Sequence, residues 1–167
     1  MARLQYYWMP LFMASLIVGC ASPTAVNAPP LVQSATQLPN GQASHITVQH
    51  ILVGFEGSLP GKIITRTQPE AYDLALDIMR QAEGGADFSE LVSKYTDDSP
   101  PGIYHLANHG QPSNMLSQDP SENVSPRNRM VPAFGDVGFP LAVGEIGLAE
   151  HHPRNSPFGW HIIKRLK

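Results

Sequence analysis

A chain of 167 residues has room for one domain of ordinary size, and its 11 basic and 14 acidic residues leave a formal net charge of −3. No long run of either sign occurs, so nothing in the sequence offers a cationic stripe and no nucleic-acid partner is expected. The single cysteine excludes an intrachain disulfide.

The first element in chain order is an export signal. Arg3 precedes an apolar run over residues 6–18, which falls short of the roughly 20 residues that a bilayer-spanning helix needs. A cleaved signal over residues 1–19 is therefore expected rather than a permanent span. Ile17-Val18-Gly19-Cys20 resembles the bacterial lipobox, in which small and apolar residues precede a cysteine that becomes a lipidated N-terminus. The resemblance implies lipidation of Cys20, attachment to a membrane through that lipid, and a place in the cell envelope. Ala21, where an aspartate would retain the protein at the inner membrane, implies the outer membrane facing the periplasm if the cell is Gram-negative. Lipidation also takes the lone thiol out of redox chemistry. Residues 21–44 hold no charged side chain, and Pro23, Pro29, Pro30 and Pro39 bar helix and sheet. Residues 20–44 thus read as a flexible tether.

Residues 45–167 read as the folded domain. Ile46-Thr47-Val48-Gln49-His50-Ile51-Leu52-Val53 is rich in β-branched residues and predicts a strand with Ile46, Val48, His50 and Leu52 on one face. Residues 54–64 contain Gly54, Gly57, Pro60 and Gly61 and form a loop. Thr67-Gln68-Pro69-Glu70 has the spacing of a capping box, so a helix follows, with Ala71, Leu74, Ala75, Ile78 and Ala82 on one stripe and Gly84-Gly85 as its stop. Asp87 and Glu90 open a shorter helix that turns Phe88, Leu91 and Tyr95 toward the core. Residues 103–129 are polar and irregular, broken by Pro112, Pro120 and Pro126, with a short strand at residues 103–107. Pro132 starts a helical turn weakened by Gly135 and Gly138. Residues 146–149 and 158–166 read as strands, the last with His161 and Ile163 on one face and Trp160, Ile162 and Leu166 on the other. Strand, helices and strands in that order fit an α+β domain with a small antiparallel sheet.

Four blocks taken together, His50-Ile51-Leu52-Val53, Gly85-Ala86-Asp87-Phe88-Ser89-Glu90-Leu91, Tyr95-Thr96-Asp97-Asp98-Ser99 and Ser156-Pro157-Phe158-Gly159-Trp160-His161-Ile162-Ile163, resemble the parvulin-type peptidyl-prolyl cis/trans isomerases. Met130-Val131-Pro132-Ala133-Phe134 and Val143-Gly144-Glu145-Ile146 are similar to further stretches of that family. The resemblance implies a four-stranded antiparallel sheet flanked by helices, with proline-containing polypeptides as partners and no cofactor. It also implies site residues: His50 and His161 as paired histidines on adjacent strands, Asp98 as the acidic group, Ser156 as the hydroxyl, and Met130, Phe134 and Phe158 as the apolar wall for the proline ring. Taken singly, a strand histidine is more often a hydrogen-bonded core residue, Asp98 a turn residue, and Met130 and Phe134 ordinary core.

Where the family continues into a Gly-Gly-Asp-Leu-Gly strand, this chain has Pro101-Gly102-Ile103-Tyr104-His105-Leu106 and then the polar insertion, over about residues 103–129. One wall of the pocket is therefore open between Tyr104 and Leu106. The same surface also fits a non-catalytic chaperone that holds unfolded, proline-containing chains, since fold does not fix function. His105, His109, His151 and His152 are too loosely spaced for a metal site, and none is expected. Phosphate recognition needs clustered cations, whereas the loop after His50 offers Lys62 beside Glu56, with Arg66 further on. Unphosphorylated proline segments are therefore the expected substrates, with Arg127 and Arg129 the cations that could fold back to reverse that preference.

Overall fold

A computed structural model describes residues 37–167; Cys20, the signal expected over residues 1–19 and the first part of the tether lie outside the described residues. The chain forms β1 (His45–Val53), α1 (Gln68–Glu83), α2 (Phe88–Tyr95), β2 (Ile103–Ala107), β3 (Val124–Pro126), α3 (Pro132–Gly138), β4 (Ile146–Ala149) and β5 (Trp160–Arg165). The strands lie in the order β3-β2-β1-β5-β4. Antiparallel pairing joins β1 to β2 and β5, and β4 to β5, while β3 runs parallel to β2.

The architecture is α+β, but the sheet is five-stranded and mixed rather than four-stranded and antiparallel. Its extra strand comes from the insertion, where Val124, Ser125 and Pro126 pair with His105, Leu106 and Ala107. Three residues ending in a proline carry no period-two pattern to read, and the missing N–H of Pro126 is tolerated because β3 stands at the edge of the sheet.

Local chemistry sets the helix ends. The Thr67 hydroxyl accepts from the Glu70 amide while the Glu70 carboxylate accepts from the Thr67 amide at 2.7 Å, closing the capping box that starts α1. Helix α1 buries Ala71, Ala75, Ile78 and Ala82 and ends at Gly84, after which Gly85 turns the chain at φ +92°. The Asp87 carboxylate caps α2 through the Glu90 amide at 2.9 Å.

Because strand side chains alternate, β1 serves two cores. Ile51 and Val53, with Trp160 and Ile162, pack with residues of α1 and α2. Ile46 and Val48, with Leu106 and Ile163, pack with Phe134 and Phe139. His50 has the parity of Ile46 and Val48, and His161 that of Ile163, so both rings face the α3 side.

Of the residues read as tether, 37–44 are described, and they fold as a turn against the domain. Gln37 bridges Ala43, and Ala43 and Ser44 are buried. The Asn108 side-chain amide holds the turn by donating to the Gln42 side chain and the Ala43 carbonyl at 3.1 and 3.0 Å.

Candidate functional site

The β1–β5 register sets Leu52 opposite His161 and His50 opposite Ile163, which makes His50 and His161 diagonal neighbours on one face. Their Nδ1 atoms lie 3.4 Å apart, long for a hydrogen bond, and their rings are within 15° of parallel. His50 Nε2 reaches Asp98 Oδ2 at 3.2 Å.

Asp98 is delivered by a loop pinned to the end of β1. The Leu52 amide donates to the Thr96 hydroxyl oxygen at 3.1 Å, and the Asp97 amide donates to the Leu52 carbonyl at 2.8 Å. Asp97 Oδ2 accepts from the Gly54 amide at 2.7 Å. Thr96 also accepts from the Asp98 amide at 3.2 Å. Sequence reasoning gave Thr96 no role, although a hydroxyl two residues before an acidic turn residue is the signal of such a cap.

Electrostatics shifts two of these groups. The hydrogen bond from His50, above all, holds the Asp98 carboxyl well below the usual carboxylate range against the opposing effect of burial, with the Ser99 amide and the Tyr104 hydroxyl adding to it. Burial, reinforced by the neighbouring His50, pushes His161 down to about 3, so this ring is neutral near pH 7. His50 Nε2–H donates to Asp98, and with the His161 proton on Nδ1 the His50 Nδ1 accepts from it. That leaves His161 Nε2 a buried acceptor without a partner among the described residues.

Phe134, fully buried on α3, presents its edge to both histidines, at ring-centre distances of 5.1 Å to His50 and 5.5 Å to His161. Met130 packs, half-buried, against the same cluster. Phe158 stands in the turn before β5 with 37 % of its surface exposed. Ser156 is fully buried, and its hydroxyl donates to the Gly159 carbonyl at 2.8 Å. It thus fastens the turn into β5 and makes no hydrogen bond to either histidine. At Gly159 a side chain would meet the Val53 carbonyl oxygen at 2.1 Å, so only glycine lets this turn close on β1.

Of Tyr104 and Leu106, Tyr104 is the one that reaches the histidine–acid row. Leu106 is fully buried in the core beneath α3, whereas the Tyr104 hydroxyl donates to Asp98 Oδ2 at 3.1 Å. The Tyr104 ring meets His50 edge-on at 5.1 Å and Phe134 at 6.1 Å.

The nearby cations are already engaged. Lys62 donates to the Asp97 carbonyl, and Arg66 pairs with the Asp97 carboxylate. Arg127 is bonded to Gln42, Asn108 and Asp136. Three of the four loosely spaced histidines have separate partners: His105 Nδ1 meets the Thr47 hydroxyl at 2.9 Å, His151 Nδ1 the Ser156 carbonyl at 3.0 Å, and His152 Nδ1 accepts from the Arg154 and Asn155 amides. Among the described residues no group of three or more His, Cys, Asp or Glu is placed to hold a metal ion.

The α+β fold with its central β1–β5 pair, which brings two histidines, an acid and an aromatic residue together, is parvulin-like. The chain belongs to the PPIC-type PPIase domain family, whose model matches residues 34–167. It is 28 % identical over 127 residues to the chaperone SurA of Pseudomonas fluorescens, covering 76 % of this chain and 24 % of that protein. To the chaperone SurA of Chromohalobacter salexigens it is 30 % identical over 118 residues, covering 70 % of this chain and 21 % of that protein. The chain thus spans about a quarter or less of the length of these curated relatives. The solution structure of TbPIN1 shares the fold, with a TM-score of 0.52 at 22 % identity, over 74 % of this chain and 98 % of that one.

Proposed function

We propose that the protein is a peptidyl-prolyl cis/trans isomerase that acts without covalent chemistry on X-Pro bonds of exported or envelope proteins. The observation that carries this reading is the row His161, His50 and Asp98, packed against the edge of Phe134 from α3. Rotation about an X-Pro bond faces a barrier of about 18–20 kcal/mol because partial double-bond character must be lost. Neither nucleophile nor metal is required to lower it. The twisted amide is less polar than either planar form, so a site that holds the proline ring in an apolar wall and excludes water favours the twisted state.

In this reading Met130, Phe134 and Phe158 take the proline, with Phe134 as floor and the other two as rim. His50, Asp98 and His161 form the polar cluster beside the rotating carbonyl, and Ser156 serves it by fixing the turn that launches β5. Lys62, Arg66 and Arg127 are all engaged, and Arg129 is a single exposed arginine. The site therefore prefers unphosphorylated segments. Lipidation at Cys20 would anchor this domain in the envelope.

A second reading, a chaperone that binds proline-containing chains without turning them over, is favoured by the chaperone names of the curated relatives. The discriminating experiment adds the full chain to an Ala-Pro peptide and follows exchange by NMR. Acceleration above the peptide-only rate is expected. A folded protein that leaves the rate unchanged but suppresses aggregation of an unfolded client would establish the second reading instead.

A further inference from the structure

We infer that Tyr104 is a positioning residue for the isomerase site: its hydroxyl, donated from the rigid strand β2, fixes the Asp98 carboxylate against His50. This rests on the isomerase reading, and it assigns a role at the point where the sequence departs from the Gly-Gly-Asp-Leu-Gly pattern.

Asp98 needs such a partner. It sits on a loop with about a third of its side chain exposed, and the histidine contact it receives is one N–H, from His50 Nε2. The Ser99 amide that also bonds the carboxylate belongs to the same loop, so with His50 alone the sheet would hold it by one donor, and water would compete for its oxygens. Tyr104 supplies a second donor to the same oxygen, Oδ2, at 3.1 Å, while His50 Nε2 approaches it at 3.2 Å. The two donors come from adjacent strands, β1 and β2, so the oxygen bridges them and its position is set by the sheet rather than by the loop.

The backbone prepares this contact. The His50 amide donates to the Gly102 carbonyl at 2.9 Å. Gly102 lies at φ +67°, and a side chain there would meet the His50 carbonyl oxygen at 2.5 Å. Only glycine allows β2 to start so close to His50, and Tyr104 then pairs with Val48, two residues along β1. The edge-on contacts of the Tyr104 ring with His50 and Phe134 fix the direction in which its hydroxyl points. Burial and the Asp98 charge push Tyr104 up to about 12, so it remains a donor at any working pH.

Among the charged groups around Asp98, Lys62 donates to the carbonyl of the preceding Asp97. His50 faces Asp98 from β1 and Tyr104 from β2, with His161 of β5 behind His50. The element α3 contributes the uncharged Phe134. The adjacent Asp97 carboxylate is turned to Arg66 and the Gly54 amide.

The test is Tyr104→Phe in the full chain, which keeps the ring and removes the hydroxyl. On an Ala-Pro peptide kcat is expected to fall roughly tenfold, the effect of losing a hydrogen bond to a charged group, with KM within about twofold because the apolar wall is intact. The acid limb of the kcat profile should move to higher pH, since an Asp98 with one donor fewer takes up its proton more readily. Side-chain 15N spectra at pH 7.5 give a reading independent of turnover: His50 should be a single Nε2–H tautomer in the wild type and a tautomer mixture in the variant. An active wild type whose Tyr104→Phe variant keeps the full kcat and the same acid limb overturns the proposal. An inactive wild type sinks the isomerase reading alone, and unchanged His50 nitrogen shifts in the variant then overturn the Tyr104 role separately.

Discussion

His161 carries a cost that pH reveals. Its folded pKa is lowered to about 3 by burial and the neighbouring His50, against about 6.5 for an unfolded histidine. Between those values the unfolded chain binds a proton that the native ring refuses, so stability falls as pH falls, by about 1.4 kcal/mol per unit. Urea unfolding at pH 7.5 and pH 5.0 should differ by about 2 kcal/mol from this residue, and His161→Gln should flatten the difference. An equal slope in the variant would show that the ring is charged in the native state. The apolar wall separates binding from folding. Phe134 is fully buried, so Phe134→Ala is expected to cost about 3–5 kcal/mol of stability and cannot report cleanly on substrate. Met130 is half-buried, and Met130→Ala should weaken peptide binding by about 1–3 kcal/mol while leaving the unfolding midpoint nearly in place. Peptide titrations on both variants, read beside their denaturation curves, check this division.

The elements that carry their own signals were legible in the sequence. The capping box at Thr67 and Glu70, the period-two pattern of β1 and the Gly84-Gly85 stop place α1 and β1 within a residue or two of where they lie. What the sequence hid was the order inside the insertion, because its structure is paid for by tertiary contacts. Arg127 donates to Gln42 and Asn108 at 3.1 and 3.0 Å and to Asp136 at 2.6 Å, and its guanidinium stacks on Phe139 at 4.8 Å. This one side chain thereby ties the turn over residues 37–44, the segment beside β3 and helix α3 together. Gly135 is the complement, since a side chain there would meet Arg127 atoms at 2.8 Å. Arg127→Ala is therefore expected to strip hydrogen-exchange protection from residues 37–44 and 124–126 while β1 keeps its own. Uniform protection across all three segments in the variant would contradict the clamp. The polar, proline-broken insertion offered no period to follow, and an Arg-centred network between residues 42, 108, 127 and 136 leaves no local mark.

Across the whole molecule, the site was legible only as a joint pattern. His50, Asp98, Phe134 and His161 come from four separated segments, and each alone fits a structural role; their order along the chain placed them together, and the row of contacts from His161 to Asp98 joins them. Ser156 shows the limit of positional transfer, because its hydroxyl is spent on the Gly159 carbonyl, and Tyr104 shows the converse, a contact that appears only once β2 is in register with β1. At this scale the anchor is also testable: Cys20→Ser should abolish incorporation of labelled fatty acid and release the protein from the membrane fraction, whereas a wild type that takes up no label would contradict the lipobox reading. The most direct test of the central claim compares wild type with Asp98→Asn, a change that keeps the shape of the side chain and removes its charge, in NMR exchange on a single Ala-Pro peptide. The wild type is expected to accelerate exchange, and the variant, with a native spectrum, to lose about tenfold or more. Exchange at the wild-type rate in the folded variant would contradict that claim.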